Sequence, residues 1–191
     1  MSRAKTRVPY VTAYSDEEFD TGFDIDLAQG SAGPRLRYPN PRHEDWMFDV
    51  LWPRQAPHLD GHPIFQQMHP LRQRECMLER RCQVCRQSAL SPLGRLSWLL
   101  PGQVTSGLVC VSKPPVCVPC ISDARNRCPH LHDAQTYTSS DYVPRGVVGL
   151  VLLSADPDFH EVSFADTSVL AVTLAMALIV RVPDLLPVPL P

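Results

Sequence analysis

Six of the seven cysteines of this 191-residue chain lie between residues 82 and 132, and four of them form two C-x-x-C pairs, Cys82/Cys85 and Cys117/Cys120. A C-x-x-C turn places two sulfurs on one side of a tight knuckle. Two knuckles complete the tetrahedron that Zn²⁺ prefers, so the spacing points to one structural zinc held by these four thiolates. The 31 residues between the pairs exceed the commonest ribbon spacing and suit a hairpin between the knuckles. A thioredoxin-like dithiol needs one C-x-x-C in a βαβ pattern, and two pairs do not fit it.

Four further groups of residues have types that could do chemistry. In "CPHLH", Cys128, His130 and His132 could bind a second metal or act in catalysis; the simpler expectation is that they end a helix and pack. Cys76 and Cys110 read as small buried apolar residues. His58 and His62 have the i, i+4 spacing of a metalloprotease helix, but Asp60-Gly61 and Pro63 argue against a helix there. "FDTG" at 19–22 has acidic flanks where an aspartic protease needs a buried apolar strand.

The net charge of −2 hides a segregation: residues 1–67 carry −3, residues 68–133 carry +5 and residues 134–191 carry −4. With four thiolates on one zinc the central segment falls to about +3, mildly basic and short of a dedicated DNA-binding patch. Arg72, Arg74, Arg80, Arg81, Arg125 and Arg127 supply much of this charge and are the candidate nucleic-acid contacts. The N-terminal stretch has no apolar core of a secretory signal. The run "VLAVTLAMALIV" at 169–180 reaches only about 18 Å as a helix, too short to span a bilayer. A cytoplasmic protein is therefore expected, where thiols stay reduced and metal binding is favoured over disulfides.

These residues need elements to position them. An acidic, flexible arm is expected over 1–33, a zinc-stabilised α+β domain over 34–182 with its zinc core at 69–133, and a Pro-rich tail over 183–191. Asn40, Pro41, Glu44 and Asp45 carry helix-start chemistry for a helix ended by Pro53. "HPLRQRECMLERR" predicts a helix leading into the first knuckle, with its arginines mostly outward. "RLSWLL" and "GLVCV" predict one hairpin, and "GVVGLVLL" and "HEVSF" a second. A short helix follows the second cysteine pair, and Asp166 caps a packed C-terminal helix over 167–181.

Knuckle, hairpin and helix in that order resemble a treble-clef zinc finger. "RRCQVCR", "WLLPG", "PPVCVPCISDARNRCPHL" and "GVVGLV" together resemble a group of small actinobacterial proteins with paired C-x-x-C motifs. That resemblance covers residues 69–152; it implies the same zinc-binding core and no substrate. Arg86 and Ile121 stand where many treble-clef knuckles have glycine, so the easy left-handed turn is missing there.

Three functions compete. A closed zinc site suits a binding or regulatory module, most simply a protein-interaction adaptor, with nucleic acid as a possible partner. The enzyme alternative is a nuclease-like hydrolase using Cys128, His130 and His132, although no histidine lies between Cys85 and Cys117 to serve as its base. An assembly subunit would dock through the arm and the Pro-rich end, covering Trp46 and Trp52.

Overall fold

A computed structural model describes residues 8–18, 20, 22–26, 34–56, 58, 60–102, 104, 109–152 and 158–188. The expectations for parts of "FDTG", the arm, both hairpin tips and the last three residues lie outside the described residues. Among the described residues the elements run β1 (Thr12–Tyr14), β2 (Asp24–Asp26), β3 (Arg35–Arg37), β4 (Trp46–Met47), β5 (Val50–Leu51), β6 (Pro63–Met68) and α1 (Pro70–Leu78). They continue with β7 (Leu96–Leu100), β8 (Val109–Val111), α2 (Val118–Arg127), β9 (Gln135–Ser139), β10 (Val143–Val151), β11 (Phe159–Ser163), α3 (Thr167–Leu170), β12 (Thr173–Val182) and β13 (Leu186–Pro187). The class is α+β, with sheet predominating.

The C-terminal helix expected over 167–181 is the largest correction. Asp166 does cap a helix, accepting from Val169 N, but that helix is only Thr167–Leu170. The apolar run then becomes β12, the central strand of the main sheet. An unbroken apolar run fits a buried helix and a doubly covered strand equally well. Thr173, Ile179, Val180 and Val182 favour the strand through their branched Cβ atoms, and all four are buried. The sheet order is β11-β10-β12-β5-β4, with β8 also against β12.

One edge of β12 is incomplete. Strand β5 meets it only at Leu174, and β8 only from Val180 to Val182. Between them, Gln73 of α1 acts in place of a strand. Its Nε2 donates to the Leu178 carbonyl at 2.9 Å and to the Ser112 carbonyl at 2.7 Å, and its Oε1 accepts from Leu178 N at 2.9 Å. Gln73 is fully buried, so these bonds have no competition from water.

The hairpin β10–β11 forms as expected, pairing Gly146 with Ser163 through Leu150 with Phe159. A Cβ at Gly146 would collide with the Val162 carbonyl, which is why glycine stands there. The other expected hairpin does not form: β7 pairs with β9 and β8 with β12.

The helix expected from Asn40 is a single 3-10 turn, His43–Asp45, followed by the hairpin β4–β5. Val50, Leu51 and Trp52 are all buried in succession, which a one-sided surface helix could not achieve. The hairpin turn puts Phe48 and Asp49 at φ of 56° and 60°, a left-handed pair without glycine or asparagine. No helix among the described residues is long and apolar enough to cross a membrane.

Candidate metal centre

Helix α1 delivers the first knuckle. His69 caps it, accepting from Arg72 N, and Pro70 occupies the first turn, where a missing N–H is harmless. Beyond the Glu79 C-cap the chain reverses at Arg80, at φ 52°, with Arg81 N donating back to the Cys76 carbonyl at 2.9 Å. That reversal places Cys82 at the start of a turn closed by Arg86 N to the Cys82 carbonyl (2.8 Å) and Cys82 N to the Gln87 carbonyl (2.7 Å).

The second pair launches α2, with Cys117 at the N-cap and Cys120 in the first turn. The free N–H groups of a helix start favour thiolates. The two knuckles are tied together by Gln83, whose N–H reaches the Pro115 carbonyl at 3.0 Å and whose side chain reaches the Pro114 carbonyl at 2.7 Å.

The four sulfurs converge. All lie within 4.8 Å of one another, and Cys85 Sγ and Cys117 Sγ are 3.6 Å apart. A tetrahedron with Zn–S bonds of about 2.3 Å has edges of about 3.8 Å, so the cluster is positioned to bind one metal ion. Cys82 and Cys120 are buried, whereas Cys85 and Cys117 are half-buried. Burial pushes the Cys120 thiol far above the ordinary range and Cys117 up to about 11. At Cys85 burial also opposes ionisation, but hydrogen bonds from the Gln87 backbone and the neighbouring sulfurs outweigh it and lower the pKa. A metal must therefore displace protons from Cys117 and Cys120, and its affinity falls as pH falls.

Arg86 takes the left-handed turn expected of glycine, at φ 63°. Its side chain has compensating partners: Nε donates to Glu75 Oε1 at 2.8 Å, and the guanidinium lies 4.9 Å from the centre of the Tyr10 ring. Tyr10 OH donates to Glu75 Oε2 at 2.6 Å. Burial works against the Glu75 carboxylate, but the bonds from Tyr10 and Arg86 win and hold its pKa low. Ile121 needs no such turn, because it lies within α2. Arg86→Ala and Arg86→Gly both lose these partners, but only alanine keeps the left-handed strain, so Arg86→Ala should be less stable than Arg86→Gly by about 1 kcal/mol. Urea denaturation of the two variants checks this; equal midpoints would remove the strain argument.

The knuckle is also where the N-terminal segment docks. Tyr10 N and Val11 N donate to the Val84 and Gln83 carbonyls, both at 3.2 Å, and β1 pairs with β6. Within the arm expected over 1–33, β1 pairs with β6 and β2 pairs with β3. Glu17, in the acidic stretch, is buried and ion-pairs Arg72, whose guanidinium also donates to the Thr12 carbonyl at 2.7 Å. Arg72 was expected outward; it turns inward because its carboxylate partner arrives from 55 residues away.

His69 completes this buried cluster. Glu17 Oε1 lies 3.9 Å from His69 Nε2, which would favour an imidazolium. Glu17 is already neutralised by Arg72, however, and burial, followed by the Arg72 charge, lowers the His69 pKa to about 4. Between pH about 4 and the usual 6.5 the unfolded chain binds the proton that the folded one refuses. Stability should thus fall as pH drops through that window, by up to ~3 kcal/mol. His69→Asn replaces the capping Nδ1 with a capping oxygen and should flatten this part of the pH profile; an unchanged profile would assign the dependence elsewhere.

The other candidate arginines are likewise engaged within the chain. Arg74 packs its guanidinium over Trp52 at 4.6 Å, Arg80 pairs with Asp141, and Arg81 with Glu79. Arg125 donates to the His132 carbonyl at 3.0 Å and Arg127 pairs with Asp123. Cys128 is the C-cap of α2, and His130 and His132 are both exposed beyond it. Cys128, His130 and His132 form no ligand group; the Cys82/Cys85/Cys117/Cys120 cluster is the one such group among the described residues. His58 and His62 are exposed in non-helical chain, as the sequence suggests. Cys110, expected buried, is exposed on β8.

The chain matches no protein-family model, no curated protein and no solved structure. The paired C-x-x-C geometry is present as the sequence resemblance implies. Of the treble-clef arrangement, the first knuckle and the helix after the second pair are present, while the hairpin between them is replaced by strands in separate sheets.

Proposed function

We propose that Cys82, Cys85, Cys117 and Cys120 hold one structural Zn²⁺ and that the protein is a zinc-stabilised binding module, a protein-interaction adaptor without catalysis of its own. The convergence of four sulfurs carries this reading. Four thiolates close the coordination sphere, so zinc there contributes folding energy and leaves no position for an activated water. All-thiolate donors also favour zinc over the harder Mg²⁺ or Ca²⁺.

The nuclease-like alternative would need Cys128, His130 and His132 to act together, and among the described residues they form no ligand group. Nucleic-acid binding would draw on arginines that already have acidic, carbonyl or aromatic partners. A native mass spectrum of protein purified without chelator tests the proposal. One zinc that leaves only on unfolding is expected, and a co-purifying mass would identify the partner's size. No metal, or two metals, would overturn the reading.

A further inference from the structure

The metal cluster is asymmetric in a way its structural role does not require. Cys82 and Cys120 are at the buried end, at 0% and 7% exposure, and Cys82 Sγ accepts a hydrogen bond from Val84 N at 3.4 Å. Cys85 and Cys117 are at the accessible end, one from each knuckle, with sulfurs 3.6 Å apart. A disulfide needs about 2.05 Å between sulfurs, so this pair must close by only about 1.5 Å. A bond within either C-x-x-C would instead draw in a buried sulfur that an oxidant reaches poorly.

We propose that Cys85 and Cys117 are an oxidation site, at which a two-electron oxidant of the peroxide class joins the knuckles by a disulfide and expels the zinc. This rests on the zinc reading above. In the first step the Cys85 thiolate attacks one peroxide oxygen: an S–O bond forms, the O–O bond breaks, and the departing hydroxide takes up a proton to leave as water. In the second, the Cys117 thiolate attacks the Cys85 sulfenic sulfur: the S–S bond forms, the S–O bond breaks, and the second hydroxide leaves as water after protonation. The two sulfurs lose two electrons together and the peroxide gains them. Zinc then retains only Cys82 and Cys120 as donors and dissociates. The Gln83 and Val84 carbonyls that hold Tyr10 and Val11 belong to the knuckle that loses its metal, so the N-terminal strap loosens with it.

The test uses the zinc-loaded full chain carrying Cys110→Ser and Cys128→Ser, which removes the accessible thiols outside the cluster. Hydrogen peroxide is added in steps while a chromogenic chelator reports zinc, and tryptic peptides are mapped by tandem mass spectrometry. About one zinc should be released per two-electron equivalent consumed, with a cross-link between Cys85 and Cys117. Cys76, which is fully buried, should stay reduced as the internal control. Zinc retained with all four cluster thiols intact under excess peroxide would overturn the proposal, as would disulfides formed within each C-x-x-C. Protein that carries no zinc before oxidant is added fails the metal reading itself, and the oxidation proposal falls with it at that earlier step. If the double variant does not fold, the same mapping on the unsubstituted chain decides between the cross-knuckle and within-knuckle bonds.

Discussion

With the proposed zinc in place, Cys82→Ser should abolish metal binding at the four-cysteine cluster and unfold the region around both knuckles. Structural zinc sites of this donor type contribute on the order of 10 kcal/mol, comparable to the whole stability of an ordinary domain. The consequence should spread beyond the site, because Cys82, Val84, Val116 and Cys120 belong to the same buried cluster as Trp98, Leu178 and Val180. A loss of only half that energy lowers the melting temperature by about 10–20 °C in a chain of this size. A strong chelator added to the unsubstituted protein should give the same change, and added zinc should reverse it. Calorimetry with and without chelator checks both. Matching melting temperatures for Cys82→Ser and the parent protein would mean that packing alone holds the knuckles.

The second large effect is expected at a residue far from any chemistry. Gln73→Leu preserves volume and apolar packing but leaves the Leu178 N–H and carbonyl facing a hydrocarbon side chain in the core. Each buried polar group without a partner costs about 1–3 kcal/mol, so the variant should lose ~2–5 kcal/mol. Its melting temperature should fall by roughly 5–15 °C. Gln73→Glu keeps an acceptor for Leu178 N but removes the amide donor and buries a charge, so it should be no better. A loss below about 0.5 kcal/mol for Gln73→Leu in chemical denaturation would mean that the β12 edge finds another partner.

What could be read in advance differs from residue to residue for physical reasons. The His69–Pro70 start of α1, the Cys117 start of α2 and the β10–β11 hairpin all follow from side chains within a few positions of one another. Left-handed positions were missed where arginine, phenylalanine or aspartate occupies them: Phe48, Asp49, Arg80 and Arg86 all have positive φ without being glycine. For Arg86 the compensation is visible only in three dimensions, because Glu75 and Tyr10 come from a helix and from the N-terminal strap. Asp45 looked like a first-turn helix residue. It instead accepts from Arg42 N and from Arg54, and so serves a 3-10 turn beside a hairpin.

The spacing of Cys82/Cys85 and of Cys117/Cys120 by itself determined that the sulfurs within each pair would meet. That the two pairs meet each other was decided by the fold, through the bonds of Gln83 to the Pro114 and Pro115 carbonyls. Which of those sulfurs faces solvent was decided by the tertiary structure, since burial depends on what other segments cover each knuckle. The same holds for β12: its composition demanded burial, but strand rather than helix was selected by the partners that β10, β8, β5 and Gln73 offer its backbone. Arg72 turned inward for the same reason, its charge being satisfied by Glu17 from the opposite end of the packed segment. Local covalent geometry acts over a few residues and is written in their order. Burial and pairing act between residues far apart in the chain and exist only once it has folded.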